Sequence, residues 1–172
     1  MYVCGQALVR SVLSILRTAI ARRALMSFTP ELTMFRNLLV PTDLTDRTVK
    51  ALDVARGIAS GAEARLTLLH VIETISGAEF EELASFYKRL ETRARERLDE
   101  LAAAARGGGG RIDVAIVYGH RVEEVLDYAR DNATDLIVLA SHPLDAAGPA
   151  AGVGTMSHKL GILAPCAVLL VK

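Results

Sequence analysis

Asn37-Leu-Leu-Val-Pro-Thr-Asp43 is a short apolar run closed by a proline and followed by two small polar residues. It reads as a buried parallel strand, because both of its faces are apolar and proline cannot extend a ladder. Four further segments look similar: Arg65–Ile72 (RLTLLHVI), Ile112–Val117, Asp135–Ala140 (DLIVLA) and Ala167–Val171. Helical periodicities lie between them. Ala51, Val54, Ala55 and Ile58 recur at steps of three and four, with Thr45 or Asp46 as cap and Gly61 as stop. A longer stripe runs through Phe80, Leu83, Tyr87, Leu90, Ala94, Leu98, Leu101 and Ala105. It opens on Glu79, Glu81 and Glu82, which suit the positive end of a helix dipole, and Gly107 to Gly110 end it. Val122, Val125, Leu126 and Ala129 mark a third helix, and Thr155 to Leu163 a short fourth. Strict alternation of strand and helix predicts an α/β fold, a parallel sheet with helices on both faces. DLIVLA, the most uniformly apolar strand, is expected to be central, and the alternating Ile112–Val117 to lie near an edge.

Hydrophobic residues make up 51% of the 172 and charged residues 23%, the composition of a globular chain with one sizeable core. Twenty basic residues balance twenty acidic ones, which argues against a nucleic-acid binder. Two cysteines, Cys4 and Cys166, form neither a disulfide framework nor a zinc cluster and point to a cytoplasmic protein. Residues 1–33 differ from the rest: Arg10, Arg17, Arg22 and Arg23 face a single acid, Glu31. Val9, Val12, Leu13, Leu16 and Ile20 fall at helical spacing there, but the longest uncharged stretch is too short for a membrane span. A basic amphipathic helix, a targeting peptide and an extension outside the fold are the readings open to this segment. The extension is expected, with the domain running from Met34 to Lys172.

In a doubly wound sheet, ligands meet the carboxyl ends of the strands where the strand order reverses. That singles out Pro41, Thr42 and Asp43, the segment His70 to Ile72, Gly119 and His120, and Ala140 to His142. Gly154-Thr155 joins them because it opens the last helix, where backbone N–H groups and a hydroxyl can meet an anion. Each has a plainer reading. Asp43 suits an Asx turn, Thr155 an ordinary N-cap, and His70 a packed histidine within a strand. His120, His158 and Lys159 are expected to face water, and Cys166 to be a small buried hydrophobe. Ser141 and His142 are adjacent, so in extended backbone their side chains diverge and form no nucleophile–base pair. No metal-ligand spacing and no GxxxxGK[ST] loop occurs in the chain.

Taken together, residues 37–43, Leu69-His70-Val71, the Gly119 turn, Asp135–His142, Gly154-Thr155 and Ala164–Val171 resemble the universal stress protein family over about residues 34–172. The resemblance implies a Rossmann-like, adenine nucleotide alpha hydrolase-like fold with five parallel strands in the order 3-2-1-4-5. It implies a stress-response role in the cytoplasm, and a homodimer formed through the last strand, here Ala167, Val168, Leu169, Leu170 and Val171. For nucleotide-binding members it implies contacts at Pro41, Thr42, Asp43, Val71, Gly119, Ala140, His142, Gly154 and Thr155. Asp43 would recognise adenine, and the Val71 backbone would contact the base.

The chain departs from that pattern where phosphates would sit. The family's Gly-x2-Gly-x9-Gly-Ser/Thr places Ala140 and Pro143 at the two leading glycines, and ten residues instead of nine precede Gly154. A Cβ at Ala140 blocks close backbone approach, and Pro143 removes an N–H donor. From Pro143 to Ser157 there is no Lys or Arg, and Asp145 adds a negative charge. Gly148 and Gly152 leave a differently shaped loop open. The expectation is a non-enzymatic dimer acting through protein partners, with a degenerate nucleotide cleft and no required cofactor. The alternative is an ATP- or AMP-binding switch that uses Asp43, Val71, Gly154 and Thr155. Adenylyl transfer is a more distant third.

Overall fold

The structure, a computed structural model, describes residues 35–59, 64–75, 83–105, 112–140 and 155–172. Five strands, β1 (Asn37–Pro41), β2 (Arg65–Glu73), β3 (Ile112–Gly119), β4 (Leu136–Ala140) and β5 (Ala167–Val171), form one sheet. Four helices connect them: α1 (Arg47–Ala59), α2 (Ala84–Ala105), α3 (Arg121–Asp131) and α4 (Met156–Leu163). All pairings are parallel and the spatial order is β3-β2-β1-β4-β5. The chain steps from β1 out to β3, then returns to β4 on the other side of β1. Right-handed crossovers therefore put α1 and α2 on one face and α3 and α4 on the other.

Two apolar layers result, one per face. Leu38, Val40, Leu66, Leu68, Leu136 and Val138 pack with α1 and α2 residues such as Leu52, Ala55, Leu98 and Leu101. Leu39, Leu69, Val71, Ile137 and Leu139 pack with Val125, Leu126 and Ala129 of α3 and Leu160 of α4. Neighbouring strand residues alternate between the layers, as the two-residue period of a strand requires. Because β1 and β4 are buried on both faces, their sequences are unbroken apolar runs.

Several boundaries shift from the sequence reading. β2 runs on to Glu73 and β3 to Gly119, because these two strands pair with each other as far as Glu73↔Gly119. β1 holds the centre of the sheet and β4 lies between β1 and β5, while β3 is an edge. The buried stripe of α1 is Thr48, Ala51, Leu52 and Ala55, with Val54 at 38% exposure. Both stripes have steps of three and four. Leu52 outranks Val54 because it completes the layer over β1 and β4. Among the described residues α2 begins at Ala84. Phe80, the acidic residues Glu79, Glu81 and Glu82, Gly61 and the tract 107–110 lie outside the described residues.

Asp135 lies just before β4, and its carboxylate has a separate task. Its carboxylate accepts from the backbone N–H of Arg36 at 2.7 Å and of Asn37 at 3.1 Å, while its own N–H donates to the Asn37 carbonyl at 3.0 Å. The start of the central strand is thus pinned to the start of β4. Among the described residues, no helix is long and apolar enough to cross a membrane.

Candidate functional site

The pairing between β1 and β4 consists of Leu38↔Leu136 and Leu39↔Ile137, while β1 stays paired with β2 up to Pro41↔Leu69 and β4 with β5 up to Ala140↔Val171. The two halves of the sheet therefore part at their carboxyl ends, between the strands where the order reverses. Among open α/β sheets that is where a ligand crevice forms. Pro41 and Thr42 end one lip, and Ala140 ends the other.

The β1 lip is held by an extensive hydrogen-bond set. Thr42 is buried, and its N–H donates to the Leu69 carbonyl at 2.9 Å, one step beyond the ladder. Its Oγ1 lies 2.6 Å from Thr48 Oγ1 and accepts from the Leu44 N–H at 2.9 Å. Its carbonyl lies 2.9 Å from His70 Nδ1. Leu44 sits at φ 66°, a left-handed conformation that costs a non-glycine residue about 1–2 kcal/mol and that the bond to its N–H helps to hold. Arg97 of α2 reaches the same turn, donating to Asp46 Oδ1 at 2.7 Å and to the Leu44 carbonyl at 3.4 Å.

Asp43 is exposed within this frame. Its Oδ1 accepts from the Thr45 N–H at 3.0 Å and the Thr45 hydroxyl at 2.6 Å, so the Asx turn is present. Partial burial pushes its carboxyl up, but the Thr45 bonds, its own backbone N–H and the charge of Arg47 outweigh this and hold it below the usual aspartate range. A lowered folded value contributes stability above the ordinary aspartate range, and that stability is lost as pH falls through the folded value. A carboxyl NMR titration is expected to give Asp43 a midpoint below that of an unstructured aspartate. A midpoint at or above the peptide value would contradict the turn.

Val71 supplies backbone instead of side chain. Leu69 turns its carbonyl toward β1, where it accepts from Thr42. Val71, two residues on, faces its N–H and C=O the same way, past the end of β1. Its side chain is buried in the α3–α4 layer.

The remaining sequence candidates divide. Gly119 ends β3 at φ 148°, a backbone conformation that side chains with a Cβ rarely adopt, so the tight β3–α3 turn favours glycine. Beside it, Arg121 pairs with Glu73 at 2.6 Å. Ala140 is half-buried and packs on the α1–α2 layer with Val171. Thr155 caps α4, its hydroxyl oxygen accepting from the His158 N–H at 3.3 Å. Pro41 is buried at the end of β1. Ser141, His142, Pro143 and Gly154 lie outside the described residues, as do Gly148 and Gly152. His120, His158 and Lys159 are exposed, and Cys166 is half-buried, its thiol pushed up by burial and then by the Asp135 charge. No group of three or more His, Cys, Asp or Glu among the described residues could hold a metal ion.

On the far side of the sheet β5 has one neighbour, β4. Leu170 is 44% exposed there, and Ile162 and Leu163 at the end of α4 are exposed at 68% and 57%. Sequence reasoning had no signal for Arg97, which meets a turn 51 residues away in the chain. His70 did leave one, a polar residue in a strand otherwise apolar from Leu68 to Ile72.

A five-stranded parallel sheet in the order 3-2-1-4-5 with four connecting helices defines a protein of the adenine nucleotide alpha hydrolase-like class. The universal stress protein family model matches residues 34–172, and the chain belongs to that family. It is 33% identical over 142 residues to a universal stress protein of Thermus aquaticus encoded in the QAH/OAS sulfhydrylase 3' region, covering 81% of this chain and 100% of the relative. The solved universal stress protein UspA of Lactobacillus plantarum superposes with a TM-score of 0.66 at 26% identity, covering 80% of this chain and 98% of that one. The universal stress protein of Archaeoglobus fulgidus, solved in complex with dAMP, has the same fold, with a TM-score of 0.57 at 16% identity and coverage of 80% and 98%.

Proposed function

We propose that this chain is a non-enzymatic, homodimeric stress-response protein whose crevice holds an adenine base firmly and its phosphates weakly. The observation that carries the reading is the preset Asp43 carboxylate two residues past Pro41, with Val71 two residues past Leu69, the β2 partner of Pro41, at the parted end of β1 and β4. Both Thr45 bonds fall on Oδ1, which leaves Oδ2 as an acceptor for an exocyclic amino group. The Val71 N–H and C=O offer one donor and one acceptor to the edge of the same base. The dAMP complex of the Archaeoglobus relative supports an adenine ligand.

The phosphate side supports the weaker half of the reading. Ala140 stands where a glycine would let the backbone close in, and Pro143 offers no N–H. The Thr155 hydroxyl oxygen already caps α4, and the segment from Pro143 to Ser157 brings no cation. Gly119 and His142 are lesser members of the same proposed set. Isothermal calorimetry with adenosine, AMP, ADP and ATP tests this. Dissociation constants within about threefold of one another are expected, because phosphates that meet no donors add little. ATP binding a hundredfold tighter than adenosine would refute it.

The dimer is proposed through β5, residues Ala167 to Val171, whose outer edge is a ready template for a second copy. Residues 1–33 are proposed as an extension outside the domain, supported by a family match that starts at residue 34. Cysteine usage supports a cytoplasmic setting. A second reading, a partner-binding protein with no nucleotide at all, is favoured by Pro143 and Ala140; it predicts no heat with adenosine in the same titration.

A further inference from the structure

We propose that His70 is a positioning residue for adenine recognition: its ring sets the spacing between the Asp43 turn and the Val71 backbone. The inference rests on the nucleotide reading above and concerns the base end of that site. Asp43 belongs to the turn after β1, and Val71 to β2. Two groups on different strands read one flat base only if the strand ends are held in a fixed relation. Beyond Pro41↔Leu69 the ladder no longer does this, and two bonds continue it. One is the backbone bond from the Thr42 N–H to the Leu69 carbonyl at 2.9 Å. The other is the contact between His70 Nδ1 and the Thr42 carbonyl, also 2.9 Å.

His70 therefore joins the residue just before Asp43 to the residue just before Val71. The rest of the Thr42 frame is local to β1 and α1, through Thr48 and Leu44, so it shapes the turn without relating it to β2. A carbonyl oxygen can only accept, so Nδ1 carries the proton and the neutral ring is the Nδ1–H tautomer. The donor survives protonation of Nε2, so the contact operates with a neutral or a charged ring. An asparagine places its Nδ2 on the same bond path from Cβ as Nδ1, and a leucine fills the volume with no donor.

Calorimetry with adenosine, AMP and guanosine on the wild-type protein, His70→Leu and His70→Asn tests the assignment. His70→Leu is expected to weaken adenosine and AMP equally, by about five- to tenfold, the worth of one neutral hydrogen bond. The preference for adenosine over guanosine should fall with it, and His70→Asn should stay within about twofold of wild type. A purely structural histidine would lower the melting temperature of both variants and leave the base preference unchanged. That result overturns the proposal, as does His70→Asn binding no better than His70→Leu. Long-range proton–nitrogen NMR of the imidazoles, with the His70 signals assigned by their loss in His70→Asn, should show Nδ1 protonated in the neutral ring. An Nε2–H tautomer overturns the proposal even if adenosine binds. If wild type binds no adenosine, the nucleotide reading itself falls, and this inference falls with it. If wild type binds and His70→Leu binds equally well, this inference alone fails.

Discussion

Leu170→Asp is expected to leave the protein monomeric at concentrations where wild type sediments as a dimer. β5 is the sheet edge, apolar throughout as Ala-Val-Leu-Leu-Val, and Leu170 is 44% exposed on it. An exposed position tolerates the change in the isolated subunit, so folding should survive. In the proposed dimer a two-fold axis brings the same edge of both copies together, and each introduced carboxylate then appears twice. Burying two unpaired charges costs several kcal/mol per ion, so the dimer dissociation constant should rise by about a thousandfold or more. Analytical ultracentrifugation measures it. Phe86→Asp on α2, also exposed and on the helix that packs over β2 and β3 at the opposite end of the sheet, serves as the control and should remain dimeric. A wild-type monomer at tens of micromolar, or an unchanged Leu170→Asp dimer, would remove β5 as the interface.

The second large effect concerns Asp43. Asp43→Ala removes both the Asx turn and the acceptor for the adenine amino group. A charged acceptor is worth about 1.5–3 kcal/mol, so adenosine binding should weaken by about ten- to a hundredfold. Asp43→Asn separates the two roles. Its carbonyl oxygen can keep both Thr45 bonds, but its other terminal atom becomes an NH2 that confronts the base amino group donor to donor. Asp43→Asn is therefore expected to lose nearly as much affinity as Asp43→Ala while keeping wild-type thermal stability. Equal binding by Asp43→Asn and wild type would mean that the turn, and not the carboxylate, matters to the ligand.

Much of the fold was legible because strand burial leaves a strong imprint. NLLVP and DLIVLA are apolar on both faces since helices cover both sides of β1 and β4, and the run itself announces this. The α1 stripe was right at Ala51, Ala55 and Ile58 and wrong at Val54, because Val54 and Leu52 both fit a spacing of three and four. Only the layer beneath, with Leu38, Val40 and Val138, selects between them. The candidate site was partly legible. Asp43 and Val71 stand next to strand ends that any doubly wound sheet exposes, and both lie there. The frame around Asp43 was not. His70, Thr48 and Arg97 reach Thr42, Leu44 and Asp46 from three different elements, and their separations in the chain carry no periodic signal.

The sequence by itself determined the number and type of elements, the family, the Asx-forming aspartate after β1, and the loss of glycine and of any cation where phosphates would lie. These are local properties, set by side-chain period, backbone freedom and charge within a few residues. The tertiary structure alone decided that β1 and β4 part beyond Leu39 and Ile137, that every polar group of Thr42 has a partner, and that His70 ties the Asp43 turn to β2. Those are relations between strands nearly thirty to a hundred residues apart in the chain. Only folding brings such residues within hydrogen-bond range, and no pattern along the chain records a distance of that kind.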